Sequence, residues 1–243
     1  MPLLALLTFL ALVLAAPGCA AVPSRPSASS APPAPSTAPA ATPTVSASEA
    51  RPPAPGKRVP EKVRVPESAS GRYRVVRGEA PPRRGPGEVV RYLVEVEHGL
   101  PFDPVKFARE VHRTLNDVRG WGRFRRVDRP PVRLRVALSS PHLTDRECLP
   151  LRTGGDLSCW NGSRSIINAR RWAEGVPQYE GDLAAYRQYL ISHEVGHGLG
   201  HHHEPCPGPG HPAPVMTQQS KSLGSCRPNP WPYPHRKPET EPR

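Results

Sequence analysis

The chain is poor in the residues that fill a hydrophobic core. Only 37% of its 243 residues are hydrophobic and 6% are aromatic, whereas 35 residues are prolines. This composition excludes one uniformly packed core along the whole chain. The prolines are concentrated towards the two ends, with thirteen in residues 17–66 and eleven in residues 205–243. We therefore expect the folded domain to begin after the first of these segments.

Lysine is also scarce, because the 33 basic residues comprise 28 arginines and five lysines. With 21 acidic residues the net charge is +12, which raises the possibility of nucleic-acid binding. The charge is uneven, however: residues 51–91 carry +7 and residues 92–226 carry only +3. Because most of the excess lies ahead of the domain, we expect no nucleic-acid partner.

One apolar run, Leu3–Ala16, begins near the amino terminus. It has the length of a signal-peptide core and is shorter than the roughly 20 residues that span a bilayer. The residues that follow, Ala16-Pro17-Gly18-Cys19, resemble a bacterial lipobox, in which a lipid is attached to the cysteine. We predict a signal peptide at residues 1–19 with lipidation of Cys19; a cleaved secretory signal and an uncleaved anchor are the alternatives.

These expectations define an exported protein, either a cell-envelope lipoprotein or a secreted protein. It would contact a membrane only through the lipid anchor or an uncleaved signal. Residues 20–69 are rich in Ala, Pro and Ser and bury too little surface to offset the entropy of ordering. We predict that they form a disordered linker, that residues 70–234 form one domain, and that residues 235–243 form a disordered tail.

The domain alternates between strand and helix patterns. Asp103 and Asp182 are typical helix N-caps, and Pro104 fits the first helical position. The predicted strands are Tyr73–Arg77, Glu88–Glu97, Val132–Leu138 and Ser165–Asn168, and the predicted helices are residues 104–117 and Leu183–Leu199. This order predicts an α+β fold in which a twisted mixed β-sheet packs with two main helices.

Four cysteines remain after Cys19, and they allow three disulfide pairings. Pairing of nearest neighbours gives Cys148–Cys159 and Cys206–Cys226, which is the pattern we predict for an exported chain. The alternative is four reduced thiols. None of the four has the C-x-x-C spacing of a structural zinc site.

Residues 193–203 have the sequence His-Glu-Val-Gly-His-Gly-Leu-Gly-His-His-His. His193 and His197 are four positions apart, so on a helix they share one face and can bind one metal ion. Glu194 lies beside the first ligand and can reach a metal-bound water without being a ligand. We therefore predict that Glu194 is the general base for that water.

The helix is expected to end at Gly200, which can adopt a positive φ. This turn lets His203 fold back as a third ligand, with His201 and His202 as the alternatives. Three neutral imidazoles leave a fourth position for water, as a catalytic zinc ion requires. We predict one catalytic Zn²⁺; the competing interpretation is a histidine-rich helix end that binds metal adventitiously.

The extended motif resembles the signature of the metzincin zinc endopeptidases. In that family a Met-turn lies below the metal, and Val215-Met216-Thr217 resembles it. The resemblance implies a zincin-like fold with zinc on the second helix and a short, irregular, proline-rich C-terminal subdomain. It also implies an edge strand that holds an extended peptide, for which Ser165–Asn168 is the candidate. More narrowly, the layout resembles an actinobacterial family of exported metzincin-like domains of unknown function.

These observations predict a zinc metalloprotease, acting as a monomer on a protein or peptide substrate. Zinc would activate a water molecule for hydrolysis of a peptide bond, with Glu194 as the general base. The alternative is a non-catalytic zinc-binding envelope lipoprotein, or a binding module with a degenerate protease site.

Overall fold

The computed structural model describes residues 63–237. The predicted signal peptide, the lipidation site Cys19, residues 20–62 of the predicted linker and the last six residues lie outside the described residues. Within residues 63–237, no helix is both long enough and apolar enough to cross a bilayer.

Short strands and helices alternate along the described chain. The strands are β1 (Tyr73–Val75), β2 (Val89–Glu97), β3 (Arg123–Arg126), β4 (Leu134–Ser139), β5 (Cys159–Trp160) and β6 (Ser165–Asn168). The helices are α1 (Pro104–Leu115), α2 (Pro141–Glu147), α3 (Ala169–Glu174) and α4 (Leu183–Gly198), with a 3₁₀ turn at Pro177–Tyr179.

The six strands form one mixed sheet. Strands β2, β4 and β6 are parallel neighbours, and β1 and β5 pair antiparallel to β2 and β6, respectively. β3 runs parallel to the first half of β2, beside the part that β1 leaves unpaired. The predicted α+β class with a mixed sheet is confirmed, and two short helices accompany the two main ones.

One expectation about the sheet is wrong. Ser165–Asn168, the candidate edge strand, lies inside the sheet between β4 and β5, and all four of its residues are buried. The strand outside it is β5, which has only two residues. A strand this short gives no alternating pattern, so the sequence could not reveal which strand forms the edge.

The core lies between one face of the sheet and helices α1 and α4. The alternating residues Tyr92, Val94 and Val96 of β2 belong to the same buried cluster as Val111 of α1 and Ile191 of α4. This packing places α4 against the sheet and directs its C-terminal end towards β5 and β6, which it contacts. The histidine motif lies on that end of α4.

The chain after α4 is irregular, as expected for a proline-rich segment, and hydrogen bonds between buried side chains and backbone hold it together. The side-chain amide of Gln219 donates to the carbonyl of Asn229 (2.7 Å), and the backbone N–H of Asn229 donates to Oε1 of Gln219 (3.0 Å). Nδ2 of Asn229 also donates to the carbonyl of Ala213 (2.9 Å). These bonds supply partners for backbone groups that lack a helix or strand.

Both predicted disulfides are present in the structure. Cys148–Cys159 closes a loop between α2 and β5, and Cys206–Cys226 closes a loop of the C-terminal segment. At the other end of the described chain, Val65 packs against the core and the carbonyl of Glu67 accepts a hydrogen bond from the backbone N–H of His142 (2.9 Å). The folded unit thus includes residues that precede position 70.

Candidate metal centre

Three histidine side chains converge at the end of α4. The ligand atoms of His193, His197 and His203 all lie within 4.8 Å of one another. Nε2 of His197 and Nε2 of His203 are 3.1 Å apart, near the ~3.3 Å expected for two nitrogens on one tetrahedral zinc ion. His201 and His202, the alternative third ligands, are outside this cluster.

Backbone carbonyls orient two of the three imidazoles. Nδ1 of His193 is 2.8 Å from the carbonyl oxygen of Val215, and Nδ1 of His197 is 2.9 Å from that of His201. Because a carbonyl can only accept, each Nδ1 carries the proton and Nε2 keeps its lone pair. Both rings are thus held in the tautomer that presents Nε2 as a metal ligand.

The surroundings also keep the three rings neutral. Burial lowers the pKa of His193 from 6.5 to about 3, and it lowers the pKa of His197 and His203 below the ordinary value as well. The positive charge of Lys221 contributes to the effect on His203. A metal ligand must be an unprotonated imidazole, so this donor set fits zinc.

The turn at Gly200 ends α4 as the sequence predicts. Gly200 has a φ of +99°, which other residue types rarely adopt. The N–H of His201 donates to the carbonyl of Gly196 and the N–H of Gly200 donates to that of His197, both at 3.0 Å. This is a Schellman motif, and it reverses the chain so that His203 returns to the helix face carrying His197.

Met216 lies in a tight turn beneath the histidines. The N–H of Thr217 donates to the carbonyl of Pro214 (2.9 Å), which closes the turn, and Val215 within it supplies the carbonyl bound by His193. Met216 is fully buried, and a Cβ added to Gly196 would lie 2.5 Å from its sulfur. The glycine therefore lets α4 approach the turn closely.

Glu194 is buried beside the cluster, and the residue is only 5% exposed. Within residues 63–237, no donor hydrogen-bonds to its carboxylate and no cation pairs with it; apart from the backbone bonds of α4, Oγ of Ser165 donates to its carbonyl (2.9 Å). Burial raises the pKa of the Glu194 carboxyl to about 8. A nearby dication would lower that pKa by favouring the charged form.

Other residues support the centre, although no motif in the sequence marks them. The hydroxyl of Tyr189 donates to the carbonyl of Thr217 (3.0 Å) and accepts from the N–H of Gln219 (2.9 Å), which ties α4 to the methionine turn. Nε1 of Trp121 donates to the carbonyl of Ser192 (2.7 Å). Tyr189 precedes the apolar residues Leu190 and Ile191, so its sequence position signals only core packing.

The histidines and Glu194 face an open cleft of about 400 Å³. The loop closed by Cys148–Cys159 and strand β5 contribute the apolar residues Leu151, Leu157 and Trp160 to its lining. The chain after Met216 contributes Gln218, Ser220 and Lys221. Both of these segments are distant from the histidine motif in the sequence, and only the fold brings them to it.

Comparison with known proteins corrects the metzincin assignment. No curated protein and no solved structure matches the chain. One family model matches, over residues 59–225. It describes a family of unknown function, not a metalloprotease family. The assignment to the metzincins, including the narrower exported metzincin-like group, is therefore wrong. Since the match spans more than two thirds of the 243 residues, the chain belongs to the family described as "Protein of unknown function (DUF3152)".

Proposed function

We propose that this protein is a zinc-dependent endopeptidase. His193, His197 and His203 would hold one zinc ion, and Glu194 would be the general base. The support for zinc is the donor set itself: three neutral imidazoles, two of them fixed by carbonyls so that Nε2 is free, with ligand atoms within 4.8 Å. Zinc is commonly bound in this way at catalytic sites, where a fourth position stays open to solvent.

The observation that carries the catalytic part of the proposal is the unpaired carboxylate of Glu194. Two other buried glutamates of the domain are fully partnered. Glu95 pairs with Arg135 (2.7 Å) and Arg164 (2.8 Å), and Glu97 accepts from the N–H groups of Gly71 (2.8 Å) and Ser140 (2.6 Å). The carboxylate of Glu194, by contrast, borders the cleft without a partner among residues 63–237. Such groups with shifted pKa values cluster at functional sites.

The proposed mechanism uses the chain's own groups for proton transfer. When bound, a zinc ion supplies Lewis acidity that polarises a carbonyl and makes water more acidic. The Glu194 carboxylate accepts a proton from the attacking water while the water oxygen bonds to the peptide carbonyl carbon. Glu194 then delivers that proton to the amide nitrogen as the C–N bond breaks, which yields a carboxylic acid and an amine.

The cleft fits a peptide better than a small molecule. It is open, and the two-residue edge strand β5 borders it through Trp160. An extended peptide can add to an exposed strand edge through main-chain hydrogen bonds. The two disulfides fit an oxidising compartment, so we extend the proposal to an exported protein that acts on proteins or peptides outside the cytoplasm.

Glu194→Gln tests the mechanism, because the amide preserves the size of the side chain and cannot act as a base. We expect the variant to keep one zinc ion per chain and to lose hydrolysis by at least ~100-fold. The measurement is zinc content by elemental analysis, together with digestion of a broad peptide library by the full chain with and without a chelator. The matched control is Glu174→Gln, an exposed glutamate at the end of α3.

Three results would contradict the proposal in different ways. Absence of bound zinc in the wild-type protein would exclude the metal centre. Cleavage that survives both the chelator and Glu194→Gln would exclude the mechanism. Bound zinc without cleavage of any library peptide would favour the non-catalytic zinc-binding alternative.

A further inference from the structure

Two residues that line the cleft, apart from the histidines, carry a formal charge: Glu194 and Lys221. Glu194 is buried beside the histidines, whereas Lys221 is exposed. The uncharged residues of the lining are apolar, such as Leu151 and Leu157, or neutral and polar, such as Gln218. The charge that a ligand in this cleft would meet, outside the metal centre, is therefore the ammonium of Lys221.

Lys221 is fixed through its backbone and free at its ammonium. Its N–H donates to the carbonyl of Gln218 (2.9 Å), and its carbonyl accepts from Nε2 of Gln178 (3.1 Å). Within residues 63–237, no carboxylate lies within ion-pair distance of its ammonium. Glu204 lines an adjoining depression together with Lys221, but the two side chains form no ion pair.

We propose that Lys221 is a specificity-determining residue that binds a carboxylate of the substrate, so that the cleft selects acidic peptides. This inference rests on the proposed peptidase function and names its substrate class. An unpaired cation in a concave site attracts anions and raises their local concentration. Neutral side chains such as Gln218 and Ser220 can donate hydrogen bonds but carry no opposite charge, so Lys221 is the ion-pair partner that the lining offers a substrate carboxylate.

The carboxylate could come from an Asp or Glu side chain or from the free C-terminus of a peptide. Both present the same two oxygens to an ammonium, and the experiment separates them. The probes are octapeptide pools labelled with an uncharged BODIPY dye, with one position fixed as Glu or Gln. The first set is amidated at the C-terminus, and a second set has Gln at the fixed position and a free C-terminal carboxylate.

The test measures binding by fluorescence anisotropy on the zinc-loaded Glu194→Gln protein, which would hold peptides without cleaving them. We expect the pools with an acidic side chain or a free C-terminus to bind about three- to tenfold more tightly than the neutral pools. This preference should weaken as salt is added, because ions screen exposed charges. The set that shows the preference identifies the source of the carboxylate.

Further substitutions, added to the Glu194→Gln protein, test whether Lys221 causes this preference. Lys221→Met should abolish it and Lys221→Glu should reverse it, whereas Lys106→Glu, the same charge change on the exposed surface of α1, should leave it intact. Equal binding of acidic and neutral pools would overturn the inference, as would a preference that persists in Lys221→Glu. Wild-type cleavage of the same pools tests the peptidase function separately, because binding and cleavage are measured on different proteins.

Discussion

At the scale of single residues, Gly196 determines how closely α4 approaches the methionine turn. A Cβ at this position would lie 2.5 Å from the sulfur of Met216, closer than Cβ atoms in folded proteins approach a neighbour, and a tight 3.0 Å from Cζ2 of Trp121. Alanine is the better helix former by roughly 1 kcal/mol. The glycine is thus unfavourable for the helix itself and favourable for the contact beneath the histidines.

We expect Gly196→Ala to destabilise the protein by about 1–2 kcal/mol and to weaken zinc binding. The added methyl group overpacks a buried contact, which outweighs the gain in helix propensity. Displacement of the turn also moves the Val215 carbonyl that orients His193. Urea unfolding and competition with a chromogenic chelator measure the two effects.

Gly122→Ala is the matched control, since its added Cβ would meet only Cε2 of Phe124, at 4.0 Å. This variant should retain wild-type stability and zinc affinity. If Gly196→Ala proves as stable as Gly122→Ala, Met216 adapts without cost and the close approach has no energetic role.

At the scale of elements, the loop closed by Cys206–Cys226 organises two of the three histidines. His203 lies just before Cys206, and the N–H of Glu204 donates to the carbonyl of Met216 (3.2 Å). The loop also contains Val215, which binds Nδ1 of His193. An irregular segment has no helix or strand to restrain it, so the disulfide limits how far these groups can separate.

Replacement of Cys206 and Cys226 together by serine should therefore lower zinc affinity by about tenfold or more, comparable to the loss of an outer-shell partner. It should also cost roughly 3 kcal/mol of stability for a loop of this size. Zinc affinity is measured by chelator competition at a temperature where the variant remains folded.

The double serine variant of Cys148 and Cys159 separates the two effects. Its loop borders the cleft but contains no histidine ligand, so it should lose stability and keep zinc affinity. Equal losses of zinc affinity in both double variants would show that general destabilisation, and not the position of the loop, explains the result.

The elements differ in how far the sequence reveals them. Helix α4 was predictable because Asp182 caps it and the histidines repeat at helical spacing, and its observed end is within one residue of the prediction. Strand β3, Arg-Phe-Arg-Arg, has too few apolar residues to give a strand pattern. Helix α2 was missed although Ser140-Pro141 repeats the cap and proline signal that marked α1.

The metal ligands were predictable from local spacing, whereas the rest of the cleft was not. The three histidines and Gly200 lie within eleven residues, so the helix and the turn that ends it bring the histidines together. Lys221 and Trp160 reach the cleft only through the fold-back of the C-terminal segment and the pairing of β5. A two-residue strand and an irregular segment leave no periodic pattern in the sequence, which is why these residues gave no sign of the cleft.

At the scale of the whole molecule, two buried groups of the centre change stability with pH in opposite directions. Burial lowers the pKa of His193 from 6.5 to about 3; between these values only the unfolded chain binds the proton, so stability rises with pH. Burial raises the pKa of Glu194 from 4.5 to about 8. Between those values only the folded chain keeps the proton, so stability falls as pH increases.

For the metal-free protein, these two groups together predict stability that rises up to pH 4.5, stays level to pH 6.5 and falls towards pH 8. The falling limb belongs to Glu194 and approaches ~1.4 kcal/mol per pH unit. We expect Glu194→Gln to remove it, and added zinc to remove it in the wild-type protein, because a cation stabilises the ionised carboxylate. The measurement is urea unfolding of chelator-treated wild type and Glu194→Gln from pH 4 to pH 8.5. Groups that titrate alike in both proteins contribute equally to the two free energies of unfolding, so they cancel in the difference. Parallel curves would therefore show that the carboxylate of Glu194 is already ionised without metal.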